Sequence, residues 1–548
     1  MGRSIPRIDV TLQKLHALLE QLRPRLSNPE YEQLTAVIDT LGYVAELLDD
    51  HTTTLARLRG FLFGAPSTEK TRDVLAHAGV EATDNAGSDA NPSQAAGPSQ
   101  TIRGRTRGHG RHGADAYAGA PRVRIAHAHL TAGDRCPECR MGKIYGQREP
   151  TRLVRIVGCA PITATVYELE KLRCNLCGEI FTADPPAGVG PAKYDATSGA
   201  MVALLKYGCG VPFHRLERLQ ATVQIPLPAS TQWEIVRETA ARLQPALDEL
   251  IRQAAQGEVL HNDDTSMTVL DLGAPDPNDP AEEAVSPDRT GVFTSGIIAT
   301  REGHRVALFF TGRQHAGENL AQVLAARAAA LGPPIQMCDA LARNLPKALA
   351  VIVGHCLAHA RRRFVAVTPN FPAECRYVLE TLRDVYRCDA HARETGLSAD
   401  ERLRLHQAQS GPLMEQLQAS LSAQLAEHRV EPNSGLGQAI TYLLKHWARL
   451  TLFLREPGAP LDNNVCERAL KKAILHRKNA YFYKTLNGAH VGDLFMSVIH
   501  TCELEGVNPF AYLTDLQRHA ADLATTPAAW MPWNYQARVP PSVAVDSG

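Results

Sequence analysis

Between Glu258 and Val353 the chain carries five short runs with strand character inside a sequence that is otherwise mostly helical. The runs are Glu258 to His261, Gly291 to Ile298, Arg305 to Phe310, Ile335 to Cys338 and Leu349 to Val353. Short apolar runs rich in β-branched and aromatic residues read as strands. An Ala-rich stretch, Ala316 to Leu331, lies between the third and fourth runs and reads as a helix. Three strands in hairpin order, then a helix and two more strands, predict a mixed α/β sheet. The following residues, Ala360 to Leu454, have helical spacing almost throughout, with a capping box expected at Ser398-Ala-Asp-Glu401.

At 548 residues the chain is too long for one core, so several domains are expected. Apolar spacing at Ile8, Leu12, Leu15, Leu19 and Leu22, and again from Leu34 to Leu62, fits either a helical hairpin or a coiled-coil dimerisation element over 1–82. Residues 83–121 read as a flexible linker ending in a basic segment. The formal net charge is zero, but Ile102 to Arg124 holds six arginines against one acid, Asp115. Arg103, Arg105, Arg107 and Arg111 are therefore read as a phosphate-contacting arm rather than a solvated spacer. No apolar run approaches the roughly 20 residues that a membrane span needs. The first residues show no secretory h-region, and a cytoplasmic protein is expected.

Cys136-Pro-Glu-Cys139 and Cys174-Asn-Leu-Cys177 are two C-x-x-C units with 34 residues between them. Two intervening residues let both thiolates of a unit reach one tetrahedral Zn²⁺. Residues 122–190, with strand-like Val154–Val157 and Thr163–Tyr167 between the pairs, are read as a zinc ribbon. It would hold one structural Zn²⁺ on Cys136, Cys139, Cys174 and Cys177, since four thiolates leave no open position for chemistry. Residues 191–255 are read as a helical region, possible as a helix-turn-helix with Ser230 capping its second helix.

Asp263 and Asp264 follow the first strand, Asp339 follows the fourth, and Glu467 lies in a helix started by Leu461-Asp-Asn-Asn-Val-Cys-Glu-Arg468, with Asp462 suited to its N-cap. Carboxylates at strand ends are natural sites for Mg²⁺, which takes a few carboxylates and keeps other positions for water and phosphate. Singly, each is as readily a turn residue or cap. Around Glu467 stand Arg468, Lys471, Lys472, Arg477 and Lys478, and upstream stand His359, Arg361, Arg362 and Arg363. The cations are read as phosphate contacts. His359 is left as a DNA contact, a brace for the site or a histidine satisfied at a helix start.

These segments resemble the insertion sequence 66 family of transposases. The resemblance rests on His261-Asn-Asp-Asp-Thr265, Asp339, Cys356-Leu-Ala-His-Ala-Arg-Arg362, Asp462 to Arg468 with Arg477-Lys-Asn479, the cysteine pairs in order, Leu62 to Ser67 and Pro509 to Leu513. It covers nearly the whole chain. Two motifs differ from the family's usual form: Asp263-Asp-Thr265 stands for Asp-Glu-Thr, and Cys338-Asp-Ala-Leu341 for Asp-Gly-Tyr. The first ligand is Asp263 by alignment, with Asp264 as the neighbouring alternative.

The resemblance implies a multidomain α/β transposase with an RNase H-like core at 256–500, a helical insertion at about 360–460 and a C-terminal segment at 501–548. Asp263, Asp339 and Glu467 would hold two Mg²⁺ or Mn²⁺ ions per active site. The implied reaction cuts the phosphodiester at an element's end and transfers the freed 3′-OH to target DNA. The expected partners are terminal inverted repeats and target DNA, a second copy of the chain and possible accessory proteins. Two rival readings are a related nuclease that cuts without joining, and a non-enzymatic DNA-binding descendant that keeps the zinc ribbon.

Overall fold

The computed structural model describes residues 128–145, 159–173, 180–272 (188 and 191 aside), 290–346 and 349–538, with a short piece at 70–77 and a few isolated positions. Most of the N-terminal helical region, the arginines 103, 105, 107 and 111, the Val154–Val157 run, and Cys174 and Cys177 lie outside the described residues.

The first described helix, α1 (Thr71–His77), places Val74 and Leu75 in an apolar cluster otherwise built largely from residues beyond 357. A small antiparallel hairpin follows, β1 (Lys171–Arg173) with β2 (Ile180–Thr182). Thr163–Tyr167, expected as strand, has no strand conformation. Those residues are exposed and find no apolar surface to cover, whereas the backbone of Ile162 just before them is held by Gln220 Nε2 at 2.9 Å. Three helices come next: α2 (Ala196–Ala203), α3 (Phe213–Thr222) and the 27-residue α4 (Ala229–Ala255). The start of α4 is set by Pro228, not by Ser230.

The central sheet contains β3 (Val259–Met267), β5 (Val292–Arg301), β6 (His304–Gly312), β7 (Ile335–Cys338) and β8 (Ile352–His355) in the order β6-β5-β3-β7-β8. The first three in sequence pair antiparallel, and β7 and β8 are parallel to β3. A short strand, β4 (Val269–Asp271), continues from β3 and pairs parallel with β9 (Tyr483–Thr485). The expected mixed sheet is thus present.

Helix α5 (Ala316–Leu324) separates β6 from β7 and is shorter than the Ala-rich sequence predicts. Its continuation is captured by neighbours. Gln256 bonds Ala326 O and Ala328 N at 2.8 and 2.9 Å, and Arg327 donates to Ala255 O, Gly257 O and Gly332 O. The two Gln256 contacts use backbone groups that further helical turns would need.

After β8 the chain is helical: α6 (Leu357–Val367), α7 (Pro372–Glu394), α8 (Ala399–Leu405), α9 (Gly411–Ala426), α10 (Gly435–Lys445) and α11 (Trp447–Leu450). The Ser398–Glu401 capping box forms as expected. Phe364, Leu379, Leu382, Leu417, Ile440 and Leu443 are the heart of this insertion's own apolar core. The chain then returns to the sheet as α12 (Asn464–Ala480) and α13 (Leu486–Leu504), followed by α14 (Pro509–Arg518) and α15 (Ala520–Thr525).

Helix α13 closes the outer edge of β6. Thr311, Phe309 and Ala307 donate their N–H groups to Asp493, Ser497 and Thr501 at 2.6, 2.9 and 3.0 Å. Four helical residues rise about 6 Å and two strand residues about 6.6 Å, so the two ladders stay in step. An edge that would otherwise present unpaired N–H groups is thereby satisfied.

Candidate active site

The carboxylates converge at one end of the central sheet because β3 and β7 are parallel. Val259 pairs with Ile335 and His261 with Met337. Continuing that register by two residues sets Asp263 alongside Asp339, just past the end of β7. The side chain of Asn344 bridges them, with Nδ2 2.5 Å from Asp339 Oδ1 and 3.4 Å from Asp263 Oδ1. Burial pushes the Asp263 carboxyl up to about 7, and the negative charges of Asp339, Asp264 and Glu467 push the same way. The amide of Asp264, donating at 2.9 Å, opposes them. Such a carboxylate is costly without a cation.

A buried amide cluster fixes Asn344 from below. Its carbonyl accepts from Asn262 Nδ2 at 2.8 Å and Gln336 Nε2 at 2.6 Å, and Gln336 also donates to Asn262 Oδ1 at 2.9 Å. All three residues are fully buried. None of them was singled out from sequence for this task. The available signal was that β3 and β7 each give a buried position to an amide, Asn262 and Gln336, where apolar residues are expected.

Asp264 has different partners. His315 Nδ1 lies 2.9 Å and Arg343 Nη2 3.0 Å from its carboxylate, which is almost completely buried. Alternation along a strand turns successive side chains to opposite faces, so the two adjacent acids serve separate surroundings.

Glu467 arrives on the first turn of α12. That helix approaches β5 at Gly296, where an added Cβ would lie 3.0 Å from Leu470 Cδ2, and Cys466 Sγ donates to Gly296 O at 3.3 Å. Gly296 is the cross-strand partner of Asp263, so a missing side chain on β5 lets the helix carry Glu467 close to the aspartates. The Glu467 carboxylate itself turns toward α6. Arg362 Nη2 is 3.4 Å from Oε2, and His359 Nδ1 is 3.5 Å from Oε1. Burial holds the His359 ring below its ordinary value, although the charge of Glu467 acts the other way. Among the described residues, the trio with potential metal-binding atoms all within 4.8 Å of one another is Cys356, His359 and Glu467.

Asn463 locks these parts together. Its N–H donates to Cys356 Sγ at 3.2 Å, its Nδ2 donates to Asn262 O at 3.1 Å, and its Oδ1 faces His261 Nδ1 at 3.1 Å. Since the Asn463 oxygen is the acceptor, His261 carries its proton on Nδ1. Burial pushes this ring down to about 4, so it stays neutral. Asn463, not Asp462, is the residue flanking the start of α12. Asp462 sits one position too early and accepts from Asn464, through its N–H at 3.1 Å and its Nδ2 at 2.8 Å.

The expected basic contacts divide. Arg468, Lys471 and Lys478 are exposed on α12. Lys472 pairs with Glu503 at 2.8 Å. Arg477 donates to Thr265 Oγ1 at 3.1 Å and Ser266 Oγ at 2.8 Å, tying α12 to the end of β3. Arg361 is buried, Arg362 holds Glu467, and Arg363 lies 3.9 Å above the Tyr442 ring.

The first cysteine pair forms a tight turn. Cys136 N–H donates to Gly142 O at 2.8 Å, Arg140 N–H to Cys136 O at 2.9 Å, and Gly142 N–H to Cys139 Sγ at 3.4 Å. Amide donation from Gly142 and Met141 lowers the Cys139 thiol, which favours the thiolate a metal requires. Cys174 and Cys177 belong to the sequence between β1 and β2.

No described helix is long and apolar enough to cross a membrane. Among curated proteins, the chain is similar to "Uncharacterized protein y4jD" of Sinorhizobium fredii, 27% identical over 380 residues, which is 66% of this chain and 71% of the relative. It is also similar to "Uncharacterized protein y4hP" of the same organism, 27% identical over 393 residues and 67% of each chain. The family model described as "Transposase IS66 family" matches residues 193–491. That span is more than half of the sequence and takes in the sheet, the helical insertion and all three carboxylates, so the chain belongs to the IS66 family of transposases.

Proposed function

We propose that this transposase cuts DNA at the ends of an insertion element and joins the freed 3′-OH to target DNA, using Asp263, Asp339 and Glu467. The observation that carries the reading is the half-buried Asp263–Asp339 pair bridged by Asn344 and set side by side by the parallel register of β3 and β7. The order β6-β5-β3-β7-β8, with three antiparallel strands followed by two parallel ones, supports an RNase H-like core. The ion-paired state of Asp264 supports Asp263 as the acid for the site.

The two half-buried carboxylates would suit a hard divalent cation, Mg²⁺ or Mn²⁺, with Asp263 and Asp339 as its core ligands and Glu467 beside them. A pair of such ions supplies charge neutralisation for attacking and leaving oxygens in an in-line displacement. The chain's own part is positional. Asn344 fixes the aspartates, Asn463 fixes the helix of Glu467 against β3, and the exposed Arg468, Lys471 and Lys478 hold backbone phosphates near the scissile bond. Water attacks the phosphodiester in the first step, and the 3′-OH it frees attacks a target phosphodiester in the second. Each displacement forms one P–O bond and breaks one.

In this reading Cys136 and Cys139, with Cys174 and Cys177, hold one structural Zn²⁺, and the arginine-rich arm and N-terminal helices grip terminal repeats and a second copy of the chain. The deciding assay incubates the full chain with Mg²⁺ and labelled DNA bearing the element's ends, then scores nicking and joining separately. Both products should form with the wild type and neither with Asp263→Asn. Nicking without joining would instead favour a hydrolytic nuclease.

A further inference from the structure

We propose that Cys356, His359 and Glu467 form a second cation site, suited to a borderline-soft ion such as Zn²⁺, and that an ion bound there withholds Glu467 from the Asp263–Asp339 pair. The second half of this proposal rests on the catalytic reading above; the first half does not.

The site is built by two helix starts. Cys356 flanks α6, and His359 stands three residues on, in its first turn, so the thiol and the ring share one helix end. Glu467 stands in the first turn of α12, brought there by the contact of α12 with Gly296. The potential donor atoms of all three lie within 4.8 Å of one another. His359 Nδ1 and Glu467 Oε1 face each other at 3.5 Å. Both atoms are buried, and neither has a hydrogen-bond partner. Two ligands on a tetrahedral Zn²⁺ with bonds of about 2.0–2.1 Å stand roughly 3.4 Å apart. The separation therefore fits two donors aimed at a common ion better than a histidine donating to a carboxylate.

The donor set also selects the kind of ion. Sulfur, nitrogen and oxygen together suit Zn²⁺ and its near relatives, whereas Mg²⁺ takes oxygen ligands and belongs with the aspartates. Supporting contacts hold two of the three donors. Asn463 N–H donates to Cys356 Sγ at 3.2 Å, and Arg362 takes Glu467 Oε2 at 3.4 Å, leaving Oε1 for the ion. Three protein ligands leave one tetrahedral position open. Glu467 is thus shared between a hard site of aspartates and a softer site of cysteine and histidine.

The test uses full-length protein and Co²⁺, whose thiolate complexes absorb in the near ultraviolet. The wild type should take up one equivalent more than Cys356→Ser, and the absorbance of that equivalent should be missing from the variant. His359→Gln, which keeps the buried thiol in place, should weaken the same equivalent by more than the roughly 10–100-fold that loss of a supporting residue costs. Equal uptake and identical spectra in all three proteins would overturn the site. In a second arm, Zn²⁺ is titrated into a DNA-cutting reaction at saturating Mg²⁺. The wild type should lose about tenfold or more of its rate as the site fills, and His359→Gln should keep the larger fraction of its own rate. If the cobalt signal appears but Zn²⁺ does not slow cutting, the withholding of Glu467 is overturned and the site stands. If the wild type cuts no DNA under any metal, the catalytic reading fails, and the cobalt result alone decides the site.

Discussion

Asp263 and Asp264 are neighbours on β3 with opposite circumstances: Asp264 is held by the Arg343 guanidinium and the His315 ring, while Asp263 shares its surroundings with another carboxylate. Substitution should separate them. Asp263→Asn should lower Mg²⁺-dependent DNA cutting by more than about 100-fold, beyond what loss of a supporting residue costs. Asp264→Asn should instead act through stability, costing about 1–3 kcal/mol by removing the negative charge and leaving one accepting oxygen where His315 and Arg343 each had their own. Activity assays and thermal melts on both variants check this.

The buried Asp263 carboxyl should make stability fall as pH rises. Its folded-state value is near 7, against about 3.9 for an unperturbed aspartate. Between these values the folded state binds more protons than the unfolded state, so stability is full below about pH 4 and is lost through about pH 7. Asp493, pushed up to about 7 by burial, adds the same sign. The buried histidines His261, His355 and His476, pushed down to about 4, 4 and 3, act in the opposite direction over the same range, so melts of the wild type are compared with those of Asp263→Asn. Wild-type stability should fall relative to the variant as pH rises from 4 to 7, and Mg²⁺ should shrink that difference.

Asn344 bridges the two aspartates through one side-chain nitrogen, while its backbone carbonyl anchors Asn262 and Gln336. Asn344→Ala removes only the bridge. Cutting at limiting Mg²⁺ should drop about 10–100-fold, and raising Mg²⁺ should recover part of it. A Mg²⁺ titration of the rate measures this directly.

Gly296 provides the space in which α12 rests. An alanine there would press on Leu470 at 3.0 Å, and a valine would press harder. Gly296→Val should cost about 1–3 kcal/mol through overpacking and should displace Glu467, so cutting should fall further than the lost stability explains. Comparing activity with the folded fraction at one temperature tests this.

Cys139 already receives amide hydrogen bonds that favour a thiolate. Cys139→Ser should release one equivalent of zinc per chain on purification, as measured by elemental analysis, while the melting of the sheet domain changes little.

Most strand positions were legible in the sequence as compact apolar runs, and Asp339 could be set just past a strand end for that reason. Asp263 and Asp264, expected after the first strand, lie inside β3, because pairing with β5 carries that strand on through polar residues to Met267. The Ser398 cap was legible because its signal lies within four residues. The end of α5 was not, since Gln256 and Arg327 stop it through contacts that alanine content cannot foretell. The partners of the acids were also decided by the tertiary structure alone. Asn463 reaches His261 across 202 residues of chain, and no local period encodes such a contact. The amides Asn262, Gln336 and Asn344 carry no pattern by themselves, and their value arises only when the sheet buries them together. The sequence by itself determined which residues could do chemistry and which family holds them. The tertiary packing decided that Asp264 is held by His315 and Arg343, that Asp263 lies beside Asp339 across Asn344, and that the Glu467 carboxylate turns toward the cysteine, histidine and arginine at the start of α6.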